Sequence, residues 1–367
     1  MKAMVLKEIC EIEIKGEGPR RSELPLKEKP LEMIELPNPV PVSGQILVKV
    51  SVCGVCHTEL DEIEGRLIPP GFPLVLGHEV VGRVESTGPG VTGFKEGDRV
   101  GIAWIYSTGF KEGDRVGIAW IYSSCGRCRF CRRGDENLCE EYRATGLDAN
   151  GGYAQYMVVS ENFAYPIPER FTDSQAAPLL CAGVIGYRAL RLSGVKPGDI
   201  LGLFGFGASA HIAIQVAKYW GCKVFVFSRK GSGTHHDLAK RLGADWIGGT
   251  DDTPPARLDC AIDFTPVGEP VRQALRNLER GGRVVVNAIR KIDPIPELEY
   301  SGYLWHEKEL KSVANVTRQD ALEFLPLAAE IGIVPKVQEF ELEQANKVLV
   351  MLKQGKIQGA GILKIPG

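Results

Sequence analysis

Cys125, Cys128, Cys131 and Cys139 fall in the pattern C-x2-C-x2-C-x7-C, and no other feature restricts the local fold as tightly. Three thiols at that interval fit tight turns that wrap one tetrahedral ion. The fourth closes the shell after a short loop from Arg132 to Leu138. Four thiolates with no open coordination position make a structural zinc site. An iron–sulfur cluster is the competing occupant, although no other cluster-type run accompanies this one. Arg127, Arg129, Arg132 and Arg133 decorate the quartet and are followed at once by acids. That pattern reads as a solvated or subunit-contacting face and not as a nucleic-acid reader.

At 367 residues the chain has room for two ordinary domains, and 44% hydrophobic with 25% charged residues describes well-stocked soluble cores. A formal charge of −2 gives no bias toward nucleic acid or an acidic membrane. The opening MKAMVLKEICEIEIKGEG lacks the apolar core of a signal peptide, and no stretch approaches a membrane span. Ten cysteines without an export signal argue for reduced thiols, hence for metal ligands, buried residues and the cytoplasm.

The first third reads as short β-segments. Ile46 to Val55 and Val80 to Gly88 alternate apolar and polar residues with the period of half-buried strands. The middle changes character: DILGLFGFGASAHIAIQVAKYWGCKVFVFSR is a strand, a Gly-rich turn, a helix and a second strand, which implies a parallel sheet. LDCAIDFT and GGRVVVNAI supply further buried strands, with the helix VRQALRNLE between them. From about Trp305 the tail returns to mixed segments, with a helical DALEFLPLAAEIG and a strand-like AGILKI.

One repeat interrupts this order. Thr92 to Ser107 reads TGFKEGDRVGIAWIYS, and 108–123 repeats it letter for letter. A solenoid needs at least three copies, so the repeat reads as a tandem duplication or a sequence artefact with one copy surplus to the fold.

Three further metal-ligand candidates lie apart in sequence: Cys56 in GVCHT, His78 in LGHEVVG and Cys181 in LLCAGVIGY. Two thiolates and one imidazole leave the fourth zinc position free, as a catalytic site requires. Gly205, Phe206, Gly207 and Ala208 open a G-x-G-x-x-A turn between strand and helix, a variant of the dinucleotide fingerprint. Its glycines let the backbone approach a pyrophosphate at the helix N-terminus. The next strand ends in Ser228, Arg229 and Lys230, where an NAD enzyme normally carries an acid for the ribose 2′-OH. A hydroxyl and two cations suit a 2′-phosphate, so NADP is expected ahead of NAD.

These motifs together resemble the zinc-dependent medium-chain alcohol dehydrogenases. Gly77 to Val91, GHEVVGRVESTGPGV, fits the family signature G-H-E-x2-G-x5-G-x2-V without a gap, and the likeness covers essentially the whole chain. The resemblance implies that Cys56, His78 and Cys181 hold a catalytic zinc and the quartet a structural one, two per subunit. Glu79 would support that zinc or approach it during ligand exchange. Thr58 would pass the alcohol proton toward the cofactor ribose, Asp61 stands where the relay histidine is usual, and His57 would touch the cofactor pyrophosphate. Cys53 matches no ligand position and is expected in the core. Removing one repeat copy restores the family's usual spacing between His78 and Cys125, and Trp120 then lines the substrate pocket, with Trp104 as its duplicate.

The implied fold is α/β in two domains. A partly open, GroES-like β-barrel catalytic domain takes residues 1–171 and 306–367, with the structural zinc lobe at about 124–140. A doubly wound Rossmann cofactor domain takes 172–305, and the active site lies in the cleft at the carboxyl ends of its strands. The implied activity is reversible hydride transfer between a small alcohol, or its aldehyde or ketone, and NADP or NAD. The implied assembly is a homodimer or homotetramer, with no nucleic-acid or membrane partner. A polyol, sugar or cyclic-ketone dehydrogenase and a zinc-free reductase are the alternatives within the superfamily. A non-catalytic zinc module is the alternative outside it.

Overall fold

Apolar residues alternate along Gln45–Val55, so every second side chain is buried, and this strand organises the first of two units. A computed structural model of the chain describes residues 1–10, 29–91, 110–229 and 233–367. It divides into one unit of Met1–Cys181 with Val334–Gly367 and another of Ala182–Ile333. In the first, Val80–Thr87, Tyr156–Ser160 and Ala360–Lys364 all pair antiparallel with Gln45–Val55. The sheet continues through Arg115–Ile118 to Ala164–Pro166 on one side and to Val337–Glu341 on the other. Both sequence ends therefore contribute to one core, in which Ile46, Val48 and Val50 meet Leu349 and Leu363. Each fully buried aliphatic side chain is worth about 1.5–3 kcal/mol.

The second copy of the repeat supplies part of this unit: Arg115–Ile118 lies between two partners in the sheet, and Ile121–Ser123 pairs with Arg143–Ala144. The first copy, with Trp104, lies outside the described residues.

The second unit carries a parallel sheet of six strands among the described residues. Its spatial order is Trp246–Gly249, Lys223–Ser228, Ile200–Phe204, Leu258–Asp263, Leu278–Val286 and Glu309–Ser312. Numbered along the chain this is 3-2-1-4-5-6, the doubly wound dinucleotide-binding order. The order reverses between Ile200–Phe204 and Leu258–Asp263, so the fingerprint turn opens at the switch point. Phe204 and Phe227 stack at 4.1 Å in the core beneath it.

The contact-defined division differs from the expected boundaries. Glu309–Ser312 is the sixth strand of the parallel sheet, and helix Arg318–Ile331 packs on helix Ala182–Ser193. The reason is electrostatic as well as apolar: the fully buried Asp320 accepts from Arg188 at 2.7 Å and from Arg191 at 3.0 Å. Residues 306–333 thus join the second unit, where the sequence suggested a return to the first.

Candidate active site

The short helix His57–Ile63 begins at Cys56, directly after the strand Gln45–Val55. Glu59, the third helical residue, turns back so that its Oε2 accepts the Cys56 N–H at 2.7 Å, as a capping-box glutamate does. This fixes where the Cys56 thiol leaves the backbone. His78 and Glu79 enter from the irregular segment just before Val80–Thr87, and Cys181 follows the helical turn Ala177–Leu180. One ligand atom from each of Cys56, His78, Glu79 and Cys181 lies within 4.8 Å of the others.

The spacings suit one tetrahedral ion. Metal–ligand bonds of about 2.3 Å to sulfur and about 2.0 Å to nitrogen place tetrahedral ligand atoms about 3.8 Å (S–S) and about 3.5 Å (N–S) apart. Cys56 and Cys181 Sγ are separated by 3.9 Å, and His78 Nε2 stands 3.4 Å from Cys181 Sγ. The hydrogen bond with Cys181 holds the Cys56 thiol well below its ordinary value, and the same bond with burial holds Cys181 well above.

The other ring nitrogen of His78 lies 2.7 Å from Glu59 Oε1, with its N–H skewed from the oxygen, and both side chains are essentially inaccessible. The contact favours the proton on Nδ1 and leaves the Nε2 lone pair facing the thiols. Glu59 was not among the sequence candidates. Its signal was the interval C-x-x-E, which puts a carboxylate at the third helical position behind a ligand.

Glu79 is buried, and burial followed by the Cys56 charge pushes its carboxyl well up. Only glycine fits at position 54, because a Cβ there would come 1.9 Å from Glu79 Oε2. Trp120 meets the His78 ring edge-on at 4.9 Å, which places the aromatic of the second repeat copy against this cluster. Thr58 is buried with Oγ1 3.7 Å from Cys56 Sγ, His57 is exposed, and Cys53 is fully buried.

Asp61 lies on the same short helix and is held by Arg66. Its carboxylate accepts from Arg66 Nε, and its carbonyl accepts from the Arg66 and Leu67 N–H groups at 2.8 and 3.0 Å. Arg66 also grips Glu64, which Lys353 holds from the other side. The network is buried, and Asp61 is one member of this ion-pair lattice.

The quartet also converges, with its four sulfur atoms within 4.8 Å of one another. Cys125–Cys131 and Cys128–Cys131 separations are 3.9 and 3.6 Å, again near tetrahedral edges. Backbone N–H groups of Arg127 and Cys128 lower the Cys125 thiol to about 7, which favours the thiolate a metal needs.

In the second unit Gly205 adopts φ +83°, and a Cβ there would come 2.9 Å from Thr265. Gly207 caps helix Ala208–Tyr219 with open space around it, so a phosphate can approach the helix N-terminus. Phe206 is buried beneath the turn. Ser228 ends its strand buried, Arg229 is exposed, and Lys230 lies outside the described residues. Sequence reasoning also missed His236, whose Nε2 stands 2.7 Å from Ser228 Oγ.

Comparison with known proteins places these sites in context. The model described as Alcohol dehydrogenase GroES-like domain matches residues 42–109 and again 105–169, the two spans meeting inside the duplication. The model described as Zinc-binding dehydrogenase matches 210–330. Probable alcohol dehydrogenase AdhA of Mycobacterium tuberculosis is 43% identical over 346 residues, 93% of this chain and 94% of that one. An alcohol dehydrogenase of Geobacillus stearothermophilus is 36% identical over 92% of this chain and 96% of its own. Among solved structures, a cinnamyl alcohol dehydrogenase of Sorghum bicolor superposes with a TM-score of 0.80 at 26% identity, covering 99% of this chain and 97% of that one.

Proposed function

The chain belongs to the zinc-binding, medium-chain alcohol dehydrogenase family, and from that premise we propose that Cys56, His78 and Cys181 hold its catalytic zinc. The observation that carries the reading is the pair of separations, 3.9 Å between the two thiols and 3.4 Å from His78 Nε2 to Cys181. They match edges of a tetrahedral site, and with Cys56, His78 and Cys181 as its ligands the fourth position falls to substrate. When bound, the zinc supplies a Lewis acid for the substrate oxygen, and the nicotinamide ring supplies a two-electron acceptor.

The chain's own residues do the rest. Glu59 orients the His78 ring through Nδ1 and secures Cys56 through its N–H. Trp120 covers one edge of His78 and keeps water from that side. Thr58, whose Oγ1 stands beside the ligand thiol, would relay the hydroxyl proton of the alcohol, accepting it as it gives its own proton on toward the cofactor ribose. Glu79 stays close enough to enter the ligand shell when a ligand exchanges. Cys125, Cys128, Cys131 and Cys139 hold a second, structural zinc, for two per chain.

We infer NADP preference from Ser228 and Arg229, since no carboxylate occupies the strand end. We also propose a homodimer or homotetramer formed by edge pairing of the cofactor sheets. Glu309–Ser312 is the outer strand, and Ile289, Ile292, Trp305 and Leu310 on nearby segments are exposed. A cytoplasmic location follows from ten free cysteines.

The deciding test is zinc content and alcohol-dependent NADP reduction for the native chain and Cys56→Ser. The native chain should carry two zinc ions. The variant should lose turnover by more than about a thousandfold, with one zinc retained. Unchanged turnover in the variant would remove Cys56 from the catalytic site.

A further inference from the structure

Ser228 is the last residue of strand Lys223–Ser228, and its backbone neighbour across the sheet is Gly249. In a doubly wound sheet this strand end faces the adenosine ribose, where the 2′ substituent is read. The side chain is nearly inaccessible, so its hydrogen bonds are set by the protein and not by bulk water. One partner is fixed: His236, on helix Gly233–Arg241, stands with Nε2 2.7 Å from Ser228 Oγ.

A hydroxyl has one proton to give and two lone pairs. If the imidazole nitrogen accepts, the serine proton is consumed, and Ser228 presents only lone pairs to the ribose. Lone pairs suit the proton of a free 2′-OH and repel phosphate oxygens. If the imidazole nitrogen carries a proton, Ser228 accepts it and keeps its own proton for a 2′-phosphate oxygen. A charge-assisted bond of that kind is among the stronger ones available. The exposed Arg229 adds positive charge at the same strand end.

We propose that His236 is a positioning residue for cofactor choice. By donating from Nε2 it directs the Ser228 hydroxyl outward and so favours the 2′-phosphate. This deepens the NADP reading above and rests on it. His236 touches no cofactor atom in this scheme; it acts wholly through Ser228.

The test uses the full-length, zinc-loaded protein and two probes, 2′,5′-ADP and 5′-AMP, with dissociation constants from calorimetry. The native protein should bind 2′,5′-ADP at least about tenfold more tightly than 5′-AMP. His236→Ala should cut that ratio by about three- to tenfold with 5′-AMP binding unchanged. His236→Gln, whose amide can donate to Ser228, should recover most of it. On a Ser228→Ala background, His236→Ala should change the ratio by less than about twofold, as coupled residues do.

A native protein without preference for 2′,5′-ADP overturns the NADP reading and this inference with it. A native preference that survives His236→Ala overturns the inference alone. So does an equal loss on the Ser228→Ala background, because it would mean that His236 acts without the serine.

Discussion

His78 Nδ1 lies 2.7 Å from Glu59 Oε1, and the same carboxylate accepts the Cys56 N–H at 2.7 Å through its other oxygen. One buried side chain therefore braces two of the three proposed zinc ligands. Carboxylates behind ligating histidines fix the ring and raise its basicity, and their loss typically costs 10–100-fold in metal affinity.

Glu59→Gln keeps the shape of that brace and removes its charge. Competition with a chromophoric chelator should show one zinc held about 10–100-fold more weakly and the other unaffected. Equal weakening of both, or of neither, would separate Glu59 from the catalytic ligands.

Asp61 is expected to matter for stability and not for proton transfer, because Arg66 already holds its carboxylate. Asp61→Asn should lower stability by about 1.5–3 kcal/mol in denaturant titration, the scale of a lost charged hydrogen bond. The pH profile of kcat should keep its shape. A displaced profile with unchanged stability would restore the relay role.

The duplicated segment offers a direct experiment. A chain without 92–107 retains one intact copy, with sixteen fewer residues between Val80–Thr87 and Arg115–Ile118. Shortening a chain connection by sixteen residues changes its closure entropy by less than about 1 kcal/mol. The shortened chain should carry the same zinc and reduce cofactor within about twofold of the native rate. Loss of a zinc on deletion would show that the fold depends on both copies.

Much of the architecture was legible because it is periodic or motif-bound. Alternation marked Gln45–Val55 and Val80–Thr87, and the fingerprint marked the turn at Gly205. Glu309–Ser312 and helix Arg318–Ile331 join the second unit without a local signal for it. Glu309–Ser312 is short and exposed, and Asp320 finds its arginines more than a hundred residues away. No local pattern announces a partner at that distance.

The same division runs through the sites. The sequence by itself determined which atoms can bind metal and phosphate, since thiols, imidazoles and a glycine turn carry their chemistry wherever they are placed. Only the tertiary structure decided which side chains those atoms lean on: Glu59 behind His78, Arg66 around Asp61, and His236 against Ser228. Burial is the physical reason. Away from water each polar group must take a partner from the packed chain, and packing chooses that partner with little regard for sequence distance.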